Sequence, residues 1–383
     1  MHIPAHRHPP VFLGAAAVGV ASLLAAAPAQ AGDFQPKRVA ADARWLAFVN
    51  VEGILKSELG KFVTEHGGEI GLEFGEGDMD EIEAEFGINP LVDLHSVTVY
   101  GEGNPEENKN VVAVLETTAA IDEAIAQLTG AAAAQKAEKA KGDDDDDDDD
   151  NNGDITTIDL NGHKVHVISD GDQTTYLQVR PGATSADRVV IVSLNREWMT
   201  KGLSVLDGKA ASLASADKPA MNFKPVDGTL AFAVCSDLSW IEMDDDEDEA
   251  ASAIIKGSKG IEAAYGESGG DLFIHLQLDT GSKEDAQNLS DIARGLVAMA
   301  RLAGSKEPEL KPLMEPMRSL ELKTEGNAII LNLKHNTGDF IKALNAMAEA
   351  GKKAEKEEDE DSEKAEVKIG GGKSEGKKKD DDH

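Results

Sequence analysis

The chain contains a single cysteine, Cys235, so no disulfide can form within it. Because Cys235 ends an apolar strand pattern, we expect a buried, inert thiol. Aromatic residues make up only 4% of the 383 residues, so the cores must consist mainly of valine, isoleucine, leucine and alanine. A basic excess is also absent, since 38 lysines and arginines stand against 72 aspartates and glutamates. This balance argues against nucleic acid as a partner and disfavours an anionic membrane surface.

The net charge of −34 is concentrated in three short segments. Asp143–Asp150, Glu242–Glu249 and Glu357–Glu363 carry −8, −7 and −6, which together make −21 of the total. Runs of like charge repel themselves and stay solvated, so we place all three in loops or tails. The rest of the chain has enough hydrophobic residues, 40% overall, to form real cores.

The first 31 residues read as a secretory signal peptide. A weakly basic start precedes an uncharged apolar run, Val11–Ala27, and Ala29–Ala31 supplies small residues for cleavage. The apolar run is shorter than a membrane span and rich in alanine and glycine. We therefore expect cleavage after Ala31, a periplasmic or secreted protein, and no stable transmembrane segment in the mature chain.

The same order of predicted elements occurs twice along the chain. The earlier copy has strand, turn, strand and helix at Leu46–Val49, Tyr100–Gly103, Val111–Leu115 and Ala119–Leu128. The later copy has them at Leu230–Val234, Tyr265–Gly269, Leu272–Leu278 and Lys283–Ala303. Both turns begin with Tyr-Gly-Glu. The order and the shared motif favour an internal duplication, although antiparallel α+β halves also share such patterns by chance.

Several further patterns complete the two copies. Asn161-Gly162 between alternating segments predicts a hairpin over Ile155–Ile168, with two more strands before a helix at Arg196–Leu206. Ser282 and Asp285 have the spacing of a capping box. In the helix that follows, seven apolar residues fall on one stripe: Leu289, Ile292, Ala293, Leu296, Met299, Ala300 and Ala303. A last helix is predicted over Phe340–Ala350.

These elements predict an α+β fold of two similar units, each an antiparallel sheet with helices packed on one face. We expect the first unit over residues 32–225, with an acidic loop over 131–154, and the second over 226–350. Residues 351–383 show no apolar periodicity, which predicts a disordered charged tail.

The segment Asp148–Asp159 fits the pattern of a calcium-binding loop. Its candidate ligands are Asp148, Asp150, Asn152, Asp154, Thr156 and Asp159. Three features weaken this interpretation. A run of eight aspartates satisfies the early positions of the pattern by itself. A strand rather than a helix is predicted to follow, and the last position is aspartate rather than glutamate. Weak, non-specific divalent binding, such as binding of Ca²⁺, is the simpler reading.

Other chemical motifs are weaker. Gly266–Gly270 matches the G-x-S-x-G nucleophile pattern with Ser268 at its centre, but an elbow needs a helix after it and a strand is predicted there. His163 and His166 are three residues apart on a strand, so they face opposite sides and cannot share a metal. The sequence offers no catalytic residue and no cofactor-binding motif that can be named.

Glu85–Gly101 resembles a recurring segment of uncharacterised secreted bacterial proteins, chiefly of the planctomycete type. The hairpin around Asn161-Gly162 and the segment Val189–Asp207 are similar to later parts of the same proteins. The resemblance implies a bacterial, extracytoplasmic location and carries no known activity.

We therefore expect an exported, non-enzymatic binding or structural protein of the cell envelope, with an unknown ligand or envelope protein as its partner. One alternative is a hydrolase whose site is assembled from distant residues. Another is a calcium-responsive module that uses Asp148–Asp159.

Overall fold

The computed structural model describes residues 33–66, 88–104, 109–139, 154–171, 173–221, 223–241, 256–306, 312 and 314–349. The strands are β1 (Trp45–Asn50), β2 (Leu94–Gly101), β3 (Val111–Thr118), β4 (Asp154–Leu160), β5 (His163–Asp170), β6 (Gln173–Pro181), β7 (Asp187–Ser193), β8 (Thr229–Cys235), β9 (Ser258–Ser268), β10 (Asp271–Thr280), β11 (Glu321–Glu325) and β12 (Ala328–Asn336). The helices are α1 (Val51–Leu55), α2 (Glu58–His66), α3 (Pro90–Asp93), α4 (Ala120–Lys139), α5 (Arg196–Leu206), α6 (Lys283–Lys306), α7 (Met314–Arg318) and α8 (337–349).

The twelve strands of the described residues form one antiparallel sheet in the order β11-β12-β10-β9-β8-β1-β2-β3-β7-β6-β5-β4. The strands of the first predicted unit lie on one side of the β1–β8 pair and those of the second lie on the other. On the side of the first unit the order runs β1, β2, β3 and then β7, the last strand of that unit. On the side of the second unit it runs β8, β9, β10 and then β12, the last strand of that unit. The predicted α+β class and antiparallel pairing are confirmed.

The two sides of the sheet join through β1 and β8, the first strand of each. Phe48 lies directly opposite Phe232 in this pair, and their ring centroids are 5.3 Å apart. Phe34 and Phe223 pack on the same cluster, with centroids 4.8 Å and 4.4 Å from Phe232. Pairing two apolar first strands removes two sheet edges that would otherwise be exposed. The structure therefore has one continuous sheet where two separate ones were expected.

The repeated Tyr-Gly motif lies at the end of β2 and of β9. A Cβ atom on Gly101 would lie 2.3 Å from the carbonyl oxygen of Asn110, and one on Gly266 would lie 2.2 Å from that of Gly228. Only glycine allows such close backbone approach. The adjacent tyrosines are not equivalent, because Tyr100 packs in the core cluster of Phe48 and Tyr265 in that of Val49. Duplication of the two halves stays a prediction.

Helices cover both faces of the sheet. Successive residues of a strand point to opposite faces, and Phe48 and Val49 belong to different cores. The core around Phe48 is covered by α5, whereas the core around Val49 is covered by α1, α2 and α8. The prediction of helices on one face holds for the second unit, where α6 and α8 share a face. It does not hold for the first unit, where α5 covers one face and α1 and α2 cover the other.

Asn195 begins α5, since its Oδ1 accepts hydrogen bonds from the backbone N–H groups of Glu197 and Trp198 at 2.8 and 3.3 Å. Four large apolar side chains of α5 are then buried by the sheet: Trp198, Met199, Leu203 and Val205. Each full burial of this kind contributes about 1.5–3 kcal/mol. The helix pattern predicted over Arg196–Leu206 is confirmed, and its apolar stripe is part of the core.

Strand β9 and helix α4 differ from the sequence predictions. Strand β9 was not predicted, because its sequence mixes small, charged and apolar residues without clear alternation before Tyr265. Helix α4 extends to Lys139, so residues 131–139 are helical where the acidic loop was expected to begin. The signal peptide, the three acidic runs and the charged tail lie outside the described residues.

Candidate interaction surface

Helix α6 begins at a cap supplied by Ser282. The Ser282 hydroxyl accepts a hydrogen bond from the backbone N–H of Asp285 at 3.1 Å and donates one to its carboxylate at 2.7 Å. This arrangement satisfies one of the free N–H groups of the first turn, and the carboxylate of Asp285 lies near the positive end of the helix dipole. The predicted pairing of these two residues at the helix start is confirmed.

The side of α6 that faces the sheet carries one large apolar side chain, Leu289, among smaller ones. Ala286 and Leu289 pack on Leu278 of β10 and Ile329 of β12, and Ser290 is also buried. Further along, Val297 lines a shallow cleft with Leu320 and Leu322, close to the edge strand β11. Past Leu289, α6 therefore contributes few large apolar groups to the core.

The large apolar side chains of α6 are instead exposed. Ile292 and Leu296 are 38% and 36% exposed, and Met299 and Leu302 are 61% and 57% exposed. The first three are spaced by four and three residues, so they lie along one side of the helix. We call these four side chains the α6 surface.

A fifth exposed apolar residue lies on the face of the sheet that carries α6. Ile274 of β10 is 40% exposed. It is four residues from Leu278 in the same strand, and α6 packs on Leu278. Both therefore point to the face of the sheet that carries α6. Among the described residues, only seven large hydrophobics count as exposed, and five of them are Ile274 and the α6 surface. Clustering of this kind, unlike scattered exposed leucines, marks interaction sites.

The charges of α6 are unevenly distributed along its length. Residues 283–291 contain Lys283 with Glu284, Asp285 and Asp291, a net charge of −2. Residues 292–306 contain two arginines and Lys306 with no acidic residue, a net charge of +3. Arg294 donates to the Asp291 carboxylate at 2.8 Å, and Arg301 donates to the carbonyl oxygen of Met317 at 2.9 Å. The exposed stripe therefore lies on a helix with an acidic first half and a basic second half.

Polar clusters elsewhere connect elements of the fold. His95 of β2 lies between two carboxylates, with Nδ1 3.1 Å from Glu52 of α1 and Nε2 3.8 Å from Asp187 of β7. Glu52 also pairs with Lys56. These contacts fix α1 against the strands of the first unit, which is a structural role.

Asp207 is the centre of a second cluster, at the C-terminal end of α5. Its carboxylate is 2.9 Å from Lys209 Nζ, 2.9 Å from His163 Nε2 and 3.3 Å from Arg180 Nη1. The hydrogen bonds from Lys209 and His163 hold the pKa of Asp207 well below its usual range. His163 is thus an anchor between the β4–β5 hairpin and α5, whereas the exposed ring of His166 contacts Thr157.

A carboxylate of the second unit joins the two halves on the face that carries α6. Glu267 of β9 accepts hydrogen bonds from the backbone N–H groups of Glu58 and Leu59 at 3.3 Å, at the start of α2. The hydroxyl of Tyr265 donates to the same carboxylate at 3.3 Å. Glu267 therefore caps a helix of the first unit from a strand of the second.

The predicted calcium ligands are only partly described. Thr156 and Asp159 lie in β4, where their three-residue separation points their side chains to opposite faces. Asp159 accepts a hydrogen bond from the Gly162 backbone in the hairpin turn at 3.0 Å. Asp148, Asp150 and Asn152 lie outside the described residues, as does the side chain of Asp154. The calcium site stays a prediction.

Ser268 is the last residue of β9 and is exposed in the hairpin turn to β10. A strand follows it, so the geometry of a nucleophile elbow is absent at this turn. Cys235 is buried, and burial raises the pKa of its thiol.

Two features are absent from the part of the chain that the structure describes. No group of three or more histidine, cysteine, aspartate or glutamate side chains in this part of the chain could hold a metal ion. None of the helices described is both long and apolar enough to cross a membrane.

Comparisons with known proteins identify fold neighbours alone. No protein-family model matches the chain, and no curated protein matches it. Crystal forms III, I and IV of TP0453 are similar in structure, with TM-scores of 0.37, 0.33 and 0.35 and sequence identities of 9%, 9% and 10%. Each alignment covers 82% of this chain, and 99%, 98% and 97% of the respective TP0453 chains. Similarity at this level carries no argument about function.

The stripe predicted for α6 divides in the structure, because Leu289 packs on the sheet whereas Ile292, Leu296 and Met299 are exposed. A stripe of this kind usually packs on a core. The informative signal was the composition of the side that faces the sheet, where Ala286 and Ser290 are small and Leu289 is large. A helix with mainly small side chains toward the sheet and large apolar ones on the other side lies close to the sheet and leaves the large ones for a further contact.

Proposed function

We propose that this protein is an exported, non-enzymatic binding or structural protein of the bacterial cell envelope, and that it binds its partner through the α6 surface. The observation that carries the proposal is the cluster of exposed apolar side chains at Ile292, Leu296, Met299 and Leu302. Leaving such groups in water is unfavourable by about 25 cal/mol for each Å² that a partner could bury. A rigid helix that presents them is a suitable element for recognition.

Export is supported by the leader pattern in residues 1–31 and by the resemblance to secreted bacterial proteins. It is tested by producing the chain with its leader in a bacterial host and fractionating the cells. We expect a processed protein that begins at Gly32 in the periplasm or the medium. An unprocessed chain in the cytoplasm would contradict export.

Binding is tested by placing a photoreactive amino acid at Met299 in living cells of an exporting host. The matched control carries the same group at Gln287, an exposed polar position on another side of α6. We expect Met299, and not Gln287, to give one discrete adduct with an envelope component, to be identified by mass spectrometry. Absence of an adduct at Met299, or equal labelling from both positions, would overturn the proposed binding surface.

A further inference from the structure

Strand β11 forms an open edge of the sheet. It is hydrogen-bonded to β12 on one side, and no strand of the described residues lies on its other side. Its side chains alternate, because Glu321, Lys323 and Glu325 are exposed whereas Leu322 and Thr324 are half-buried on the face that carries α6. An open edge of this kind offers free backbone N–H and C=O groups to another strand.

The cleft between α6 and β11 lies beside this edge. Its apolar lining is Val297 and Ala298 of α6 with Leu320 and Leu322 at the beginning of β11. Further along the strand, the hydroxyl of Thr324 is buried and has no hydrogen-bond partner among the described residues. Buried hydroxyls are normally paired. A further strand on β11 would cover the two leucines and bring backbone groups close to this hydroxyl.

One segment of the C-terminal tail, outside the described residues, has the pattern of a short strand. The tail as a whole has no apolar periodicity, but charged and apolar residues alternate over Lys364–Ile369, which we call the tail segment. Three glycines follow at Gly370–Gly372 and would end a strand there. We infer that the tail segment adds to the open edge of β11 as a further antiparallel strand. This inference is independent of the proposed function.

The charges of the two segments are complementary. The exposed residues of β11 are acidic, basic and acidic in order, whereas Lys364, Glu366 and Lys368 of the tail segment are basic, acidic and basic. With Glu366 opposite Lys323, both outer positions also pair a lysine with a glutamate. Directly opposed side chains of opposite charge stabilise a strand pair. Strand β4, at the other edge of the sheet, has aspartates and no basic residue, so it offers no such match.

The apolar residues of the tail segment favour the antiparallel direction. In the antiparallel register with this charge pairing, Val367 lies opposite Leu322 and Ile369 lies opposite Leu320. Opposed residues point to the same face of a sheet, so both large side chains would lie at the cleft beside α6. In the parallel register Ile369 would lie opposite Gly326, in the turn after β11 and away from the cleft.

The connection from α8 is long enough for the tail segment to reach β11 of its own molecule. Helix α8 begins directly after β12 and is about 20 Å long. Glu321 of β11 pairs with Asn332, four residues before the end of β12, which is about 13 Å along the strand. Residues 350–363 can span up to about 46 Å when extended. The tail therefore reaches the open edge from the end of α8.

Direction and register are tested with cysteine pairs in a Cys235→Ser background of the chain 32–383. Lys368→Cys with Glu321→Cys should form a disulfide within one molecule on mild oxidation, since opposed Cβ atoms lie about 4.5–5.5 Å apart. The matched control is Lys368→Cys with Glu325→Cys. It should stay mainly reduced, because its position on β11 lies four residues, about 13 Å, from Glu321.

Peptide mapping of the oxidised monomer identifies the disulfide. Equal or faster oxidation of the control pair would contradict the antiparallel register. A disulfide that forms only between two molecules, even at low protein concentration, would assign the edge of β11 to the tail of a second copy and overturn addition within one chain.

Hydrogen exchange gives a second readout that needs no cysteine. The N–H groups of β11 that point away from β12 should exchange slowly in the unaltered chain, because the tail segment covers them. Val367→Asp should speed their exchange at least about tenfold, since it places a charge at the apolar cleft. Ser374→Asp adds the same charge beyond the three glycines and should have no effect. Equal exchange of the peptide 320–325 in all three proteins would overturn the inference.

Discussion

Helices α5 and α6 both carry an apolar stripe, but only that of α5 is buried. In α5 the large side chains Trp198, Met199 and Leu203 face the sheet and fill the core beneath. In α6 the sheet side carries small residues apart from Leu289, and the large residues further along the helix are exposed. The comparison teaches that a helical stripe identifies a surface that prefers to be covered. It does not say whether the same domain or another molecule covers it.

The largest expected difference between the two helices concerns core packing. Leu203 of α5 is fully buried, so Leu203→Ala should lower the free energy of unfolding by about 3 kcal/mol through lost burial and the cavity left behind. Urea denaturation followed by circular dichroism measures the change. A loss below about 1 kcal/mol would show that the α5 stripe is no more essential to the fold than that of α6, and the comparison would fail.

A smaller effect is expected at the end of α5, where Asp207 accepts hydrogen bonds from Lys209, His163 and Arg180. Its pKa is lowered in the folded state, so the carboxylate stabilises the fold above its unfolded pKa, about 3.9, and loses that effect as the pH falls toward the folded value. Asp207→Asn should cost about 2 kcal/mol at neutral pH, since it removes bonds to charged groups.

The same variant sharpens the prediction on acidification. Between about pH 5 and pH 2 the wild type should lose more stability than Asp207→Asn, because the variant has no carboxylate to protonate. Asp227→Asn, at an exposed position, is the control and should follow the wild type. Parallel acid curves for all three proteins would refute the role given to Asp207.

The smallest effect is expected on the α6 surface. Met299 is 61% exposed, so Met299→Ala should change the free energy of unfolding by less than about 0.5 kcal/mol. Urea denaturation followed by circular dichroism measures the change. A loss above about 2 kcal/mol would mean that Met299 packs inside its own chain and would remove the contrast with α5.

Much of the local structure could be predicted because local rules govern it. The Asn161-Gly162 turn, the Asn195-led helix and the strand alternation in β10 each depend on neighbouring residues. Strand β9 was missed because its mixture of small, charged and apolar residues has no clear period, and its place in the sheet depends on β8 and β10. The Asp207 cluster was missed because its members are up to 44 residues apart and meet only through the fold.

The sequence by itself determined the α+β class and the antiparallel pairing, since these follow from periodicity and turn chemistry. It also located the α6 stripe. Only the tertiary structure decided that β1 and β8 join the two halves into one sheet, that helices cover both faces, and that the α6 stripe is exposed. Each of these depends on contacts between residues far apart in the chain, such as Phe48 with Phe232, and no local pattern encodes which distant surface will be available.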